Sequence, residues 1–370
     1  MSRVKILKAI LEDNEGLLEF LKENPSPGLI QIQLDRTPSY FDSIRVEGFP
    51  SDVMIGKETN TGKIAGVGNR SEKNCFVNGK PEQLGYLSTL RIKEEYRNSI
   101  FLVKSYNFLK ELHKKSKVKF YLTTILKENK LARAILTSKR AGLPIYESIG
   151  FYHTYIISKN QKINTANNNY SVQVAKEEEI TDIILFLNSY GKEKQFFPIY
   201  TKEDFLNKNT LLNGIQISDI LIAREKGEIV GVISLWKQNS FRKWIVKDYE
   251  PILKYSRRIY NIYAYLMRKP VLPALDTEFK YRFLSTVTIK DNNSEVFKAL
   301  LNVVWSILDQ KTDTDYLVAG FHEKNTIGDV VNQFPHWKIT SEVFVVYWEE
   351  EKQDIPDFRN GIPYLEVGSL

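Results

Sequence analysis

The 370-residue chain holds few of the groupings from which catalytic chemistry is built. Its one cysteine, Cys75, has no disulfide partner and no companions for a thiolate metal cluster, which leaves a lone nucleophile or a small packed side chain, the commoner use. His113, His153, His322 and His336 show no paired metal spacing and no HExxH pattern occurs, so no metal is expected. Ser88 and Ser285 lack the glycine-flanked turn of a hydrolase nucleophile, and there is neither a P-loop nor a dinucleotide fingerprint. Hydrolase and kinase chemistry drop out.

One segment is chemically distinctive. Between Lys237 and Lys269 stand nine basic residues against Asp248 and Glu250, with Trp244, Tyr249, Tyr255, Tyr260, Tyr263 and Tyr265 interleaved. Such a mixture can grip a phosphate-bearing substrate, RNA or single-stranded DNA. Within it Ile252, Tyr255, Ile259, Ile262 and Leu266 recur at helical spacing. The expected reading is a helix that buries this stripe against its own module and leaves a solvated Lys/Arg face. The net charge of +7 favours anionic partners, but Lys, Asn and Ile are abundant throughout, so composition alone accounts for it.

The elements that must position any site follow from periodicity and turn residues. Val4 to Ala9 reads as a strand, then a helix from Asp13 or Asn14 to Asn24 with Leu17, Leu18 and Leu21 on one face. Pro38 suits the first turn of a short helix ending near Gly48. A hairpin of Val53 to Glu58 and Ile64 to Gly68 follows, then strand Leu84 to Ile92, helix Ser99 to Lys114, strand Val118 to Leu126, helix Asn129 to Thr137 and a pair of strands around Pro144 to Ser158.

The same order recurs. Leu87-Ser88-Thr89-Leu90-Arg91-Ile92-Lys93 matches Leu284-Ser285-Thr286-Val287-Thr288-Ile289-Lys290, 197 positions on. Tyr121-Leu122 with Glu128 matches Tyr316-Leu317 with Glu323, and Gly62 to Val67 matches Gly227 to Val232. The second copy thus carries an insertion near 237–280. The Asn-rich stretch Lys159 to Asn169 reads as a linker, giving domains 1–162 and 170–370. No stretch is long and apolar enough to cross a bilayer, and the N-terminus does not read as a signal segment, so a cytoplasmic location is expected.

This order resembles the GNAT (GCN5-related N-acetyltransferase) superfamily, and the region Leu87 to Phe151 carries the resemblance. In that family a central strand ends in a turn written Arg or Gln, any, any, Gly, any, Gly or Ala, which opens a helix. Leu90-Arg91-Ile92 and Arg97 match the strand end and first turn residue, while Ile100 and Leu102 stand at the two glycine positions. Asn129 and Ala132 fit the family's Asn, two any, Ala, three any, Tyr, with Leu136 at the tyrosine. The resemblance implies an α/β fold (α+β mixed sheet) of two tandem GNAT-like acyl-CoA N-acyltransferase modules. It implies acetyl-CoA or another acyl-CoA as cosubstrate, with its diphosphate at a helix N-terminus, its pantetheine arm along the preceding strand, and Leu90, Arg91, Ile92, Arg97, Asn98, Ser99, Ile100, Phe101, Leu102 and Asn129 as the cofactor-binding residues. Acyl transfer to a primary amine needs a base and an acid. Glu94, with Glu82 and Glu95 near the same strand, is the candidate base, and Tyr146 the candidate acid in place of the missing tyrosine, with Tyr152 as an alternative. The second module, with Asp291 and Glu295 at the corresponding turn, would repel a diphosphate and is expected to be degenerate. The alternatives are a non-catalytic GNAT-fold protein binding a ligand or, less favoured, nucleic acid, and an aminoacyl or long-chain acyl transferase.

Overall fold

A computed structural model describes every residue except 1–3, 27, 98, 139–141, 164–168 and 359. The first half contributes β1 (Val4–Lys8), α1 (Asn14–Glu23), β2 (Ile30–Asp35), α2 (Tyr40–Ser43), β3 (Ser51–Glu58), β4 (Ile64–Val77), β5 (Lys80–Ile92), α3 (Ser99–His113), β6 (Tyr121–Leu126), α4 (Lys130–Leu136) and β7 (Ile145–Ser158). The second contributes β8 (Ser171–Val174), α5 (Ile180–Gly191), β9 (Lys194–Gln195), β10 (Phe197–Pro198), α6 (Lys202–Leu206), β11 (Ile220–Glu225), β12 (Glu228–Trp236), β13 (Lys243–Tyr249) and α7 (Pro251–Leu266). It continues with β14 (Tyr281–Ile289), α8 (Ser294–Asp309), β15 (Tyr316–His322), α9 (Ile327–Asn332), β16 (His336–Tyr347) and β17 (Ile362–Pro363).

Both halves share one mixed sheet of 13 strands, ordered β1-β3-β4-β5-β6-β16-β7-β15-β14-β12-β11-β8, with β10 added on β4. The halves are laced rather than merely adjacent. β16 enters between β6 and β7, antiparallel to both, and β7 flanks β15. Each half-sheet is therefore completed by a strand from the other half.

Apolar periodicity explains the packing. On α8, Phe297, Leu300, Leu301, Val304 and Leu308 are buried against β11, β12 and β14, whose apolar residues fill the same cluster. On α1 the buried face is Leu17, Phe20 and Leu21, with Leu18 at its edge.

Three expectations are corrected. Pro38 lies before the short helix rather than in its first turn. The cap is Ser39, whose hydroxyl accepts from the Asp42 amide. The residues near Pro144 to Ser158 form one continuous strand, because β16 pairs along nearly its whole length and leaves no place for a turn. The stripe on α7 is not buried. Ile252, Tyr255, Ile259, Ile262 and Leu266 face solvent, and the inner face is instead Leu253, Tyr260 and Ala264. The strand β2 had no counterpart in the sequence reading. It pairs antiparallel with β13, so the insertion of the second half lies on the first. Residues 164–168 of the expected linker lie outside the described residues.

Candidate active site

The site is made by two parallel strands that part. β5 and β6 pair at Gly85 with Tyr121 and Tyr86 with Leu122, then separate. The Thr123 hydroxyl donates to the Leu87 carbonyl at 2.8 Å and ties the vertex. Only glycine fits there, since a Cβ on Gly85 would lie 2.1 Å from the Tyr121 ring. Just beyond, β5 bulges. Thr89 and Leu90 lie opposite Gly68, and Thr89 has φ 54°. That conformation is costly for a β-branched residue and persists because side chains hold it. Asn69 donates to Ser88 Oγ at 3.3 Å and to Thr89 Oγ1 at 3.2 Å, and Arg36 donates to Thr89 Oγ1 at 3.0 Å.

Between the parted strands opens a cleft of about 450 Å³. Of the residues expected to hold the cofactor, Leu90, Arg91, Phe101 and Asn129 line it. Asn129 caps α4 by accepting from the Ala132 amide. Ile100 is 64% exposed, and Leu102 packs against the cluster that contains Leu109. The bulk at the start of α3 is taken up elsewhere. Phe101 lies over Gly56 and Gly66, where a Cβ would meet its ring at 2.4 Å and 2.8 Å. Arg97 is exposed, its Nε donating to the Ile92 carbonyl at 3.0 Å. Ile92 is half-buried at the strand end, Ser99 begins α3, and Asn98 lies outside the described residues.

Tyr146 lines the cleft next to Leu136, the position that lacks the family tyrosine. Its hydroxyl is hydrogen-bonded to that of Tyr106, a cleft residue that sequence reasoning missed. Burial pushes Tyr106 up to about 12 and, with Tyr106 alongside, Tyr146 well above the ordinary phenol value. Both phenols are protonated at neutral pH and can donate. Glu94 sits exposed in a short turn of helix between β5 and α3, outside the cleft lining, and Glu82 and Glu95 are exposed as well. Tyr152 is elsewhere. It donates to the Leu365 carbonyl at 2.9 Å.

The carboxylate that does reach the cleft is Glu47, fully buried. Arg36 donates to it at 3.1 Å, and Arg242, just before β13, and the Ser88 hydroxyl also bind it. Burial, reinforced by Arg36, lowers Arg242 to about 10, and burial with the same neighbour lowers Arg91 to about 10. No sequence signal marks Glu47. For Arg36, the alternation in Ile30-Gln31-Ile32-Gln33-Leu34 could have placed a strand before it. Cys75 is buried and its thiol is pushed up to about 12 by desolvation, which suits packing rather than nucleophilic attack.

The second half repeats the architecture with its cleft occupied. β14 and β15 pair in parallel from Tyr281 to Phe283 and then part, and Thr286, the repeat partner of Thr89, has φ 51° at the same bulge. Here the chain's own tail enters. The Thr286 amide donates to Glu366 Oε2 at 2.9 Å, and the Tyr364 hydroxyl donates to the same atom at 2.7 Å. β17 pairs with β9, anchoring the tail, and Leu370 reaches the first cleft.

Paired strands that splay beside a bulged central strand, with a helix starting at the strand end, make up the common plan of the two halves. No protein-family model matches the sequence, and no curated protein matches it either. Solved structures do match. A Saccharomyces cerevisiae N-myristoyltransferase with bound myristoyl-CoA is similar over 99% of this chain and 90% of that one, at 12% identity and a TM-score of 0.61. A tandem GNAT protein from the clavulanic acid biosynthesis pathway covers 93% and 98%, at 9% identity and a TM-score of 0.54. A GCN5-related glucosamine N-acetyltransferase region of a fungal multi-domain β-N-acetylglucosaminidase matches 94% of this chain and 38% of that chain, at 10% identity and a TM-score of 0.58. The chain has the tandem GNAT fold.

Proposed function

We propose that the chain is an N-acyltransferase that takes an acyl group from acyl-CoA bound in the first-half cleft and delivers it to an amine. The observation that carries this reading is the contrast between the two bulges. In the second half an anionic oxygen, Glu366 Oε2, sits on the Thr286 amide, and in the first half the equivalent Thr89 lines an open cleft. A carbonyl oxygen that becomes anionic during thioester attack needs such an amide. The amine nitrogen attacks the thioester carbon, the carbon–sulfur bond breaks, the new amide nitrogen sheds its proton, and the thiolate takes up a proton. Tyr146, protonated and paired with Tyr106, is the proposed donor to the thiolate. Glu94 is assigned no step, and Glu47, held by two guanidiniums, positions Ser88 and the bulge. The diphosphate is proposed to lie at the start of α3 near Arg97.

A longer acyl group is the second reading, favoured by the apolar residues Ile6, Leu34, Met54, Val67 and Leu109 in the lining. The test is native mass spectrometry with CoA, acetyl-CoA and myristoyl-CoA, followed by thiol release over an amine panel. Binding that Arg97→Glu weakens supports the site. Absence of any bound CoA species refutes it, and the preferred thioester decides the acyl length.

A further inference from the structure

The exposed stripe of α7 is unusual for a chain with its core otherwise closed. Ile252, Tyr255, Ile259 and Leu266 are between 73% and 87% exposed, and Ile262 and Tyr263 lie on the same side. At 100° per residue these six span one continuous face of four turns. The helix cannot roll to hide them, because its other face is fastened. Tyr260 accepts from Trp337 Nε1 at 2.6 Å, Asn261 exchanges hydrogen bonds of 2.7 Å and 2.9 Å with the Leu272 backbone, and Arg257 donates to the Pro273 carbonyl at 2.6 Å.

Charge says what covers the stripe. From Pro251 to Lys269 there are five basic residues and no acidic one. Arg258 and Arg268 are exposed, Lys254 leans to Asp248 at 2.8 Å, and Lys269 lies over the Tyr263 ring at 5.4 Å. The nearby acids, Asp248, Glu250 and Asp276, precede or follow the helix, and Asp276 is taken by Lys247. A second copy docked stripe to stripe would bring these cations against themselves. A bilayer surface with anionic headgroups accepts both features, taking the isoleucines and leucine below the phosphates and the cations among them, with tyrosines at the boundary.

We propose that α7 is an interfacial helix that docks this protein, without spanning, on an anionic phospholipid surface. The proposal does not depend on the acyltransfer reading. The test uses the full chain and sedimentation with sucrose-loaded vesicles of phosphatidylcholine, alone or with one quarter phosphatidylglycerol. The expected result is capture by the anionic vesicles, at least about ten-fold stronger than by neutral ones. The Ile259→Glu, Ile262→Glu double variant is expected to lose capture, and Arg258→Glu to weaken it about ten-fold. Both isoleucines are exposed, so circular dichroism and melting of the double variant should match the parent, which separates lost docking from lost folding. The proposal is overturned by no capture on anionic vesicles, by equal capture on neutral ones, or by capture that the double variant retains. A vesicle-free dimer that the double variant dissociates, seen by light scattering, overturns it too, because the stripe then belongs to a second copy.

Discussion

Replacing Lys194 with methionine should make the protein more stable at neutral pH. Lys194 belongs to β9, the strand that anchors the tail in the second-half cleft, and it is 7% exposed. Its ammonium donates to the Val287 carbonyl at 3.3 Å and lies over the rings of Phe197 and Tyr364 at 5.9 Å and 5.4 Å. Its charge is met by no carboxylate among the described ion pairs. Desolvation lowers the amine from 10.5 to about 8. At ~1.36 kcal/mol per unit, that burial costs the folded state about 3 kcal/mol wherever the unfolded chain would be protonated. The folded value is below the unfolded one, so the unfolded state binds more protons between about pH 8 and 10.5. The cost is therefore complete below about pH 8 and is relieved as pH rises through that window. Lys194→Met keeps the bulk and drops the charge. The expected gain is ~2–3 kcal/mol at pH 7 after loss of the carbonyl and ring contacts, shrinking towards zero by about pH 10.5. Urea unfolding of parent and variant from pH 7 to 10, at matched slopes, measures it. A variant no more stable than the parent at pH 7, or a difference that ignores pH, would refute the reasoning.

Four further outcomes follow from the geometry. Tyr146→Phe should lower kcat for acyl transfer about a hundred-fold with KM little changed, and an unaltered kcat would remove the phenol from the proton path. Gly56→Ala should destabilise the chain by ~1–3 kcal/mol, because the new Cβ meets the Phe101 ring at 2.4 Å; an unchanged melting temperature would contradict that contact. Glu366→Ala should cost about 3 kcal/mol, since the Thr286 amide and the Tyr364 hydroxyl both lose their acceptor, and thermal unfolding reads this directly. Cys75, buried with its thiol near 12, should resist iodoacetamide at pH 8 until urea unfolds the chain; rapid labelling of native protein would show the burial to be wrong.

Much of the fold was written locally. The repeat of Leu87 to Lys93 at Leu284 to Lys290 marks the one place in each half where the central strand bulges, with threonine at positive φ in both copies. A strand that must leave its ladder at a fixed residue constrains its neighbours, so this motif stays recognisable when the rest of the repeat has drifted. Helix positions such as those of α1 and α3 followed from 3.6-residue periodicity, which depends on residues within one or two turns. The stripe on α7 shows the limit of the same rule. Periodicity correctly gave the helix and its apolar face but not what that face meets, because amphipathicity is the same pattern whether the partner is a core or something outside the molecule.

The sequence by itself determined the repeat of Leu87 to Lys93 at Leu284 to Lys290 and most of the helices and strands around it, though not β2. Only the tertiary structure decided which groups share the cleft. Arg36, Glu47 and Tyr106 come together in its lining, and Arg242, 195 residues from Glu47, binds that carboxylate, with nothing in either neighbourhood to predict the meeting. It also decided that β16 is laced between β6 and β7 and that the tail fills the second cleft. The physical reason is that helices and turns are fixed by contacts along the chain, whereas strand partners and buried ion pairs are chosen by which distant surfaces exclude water together.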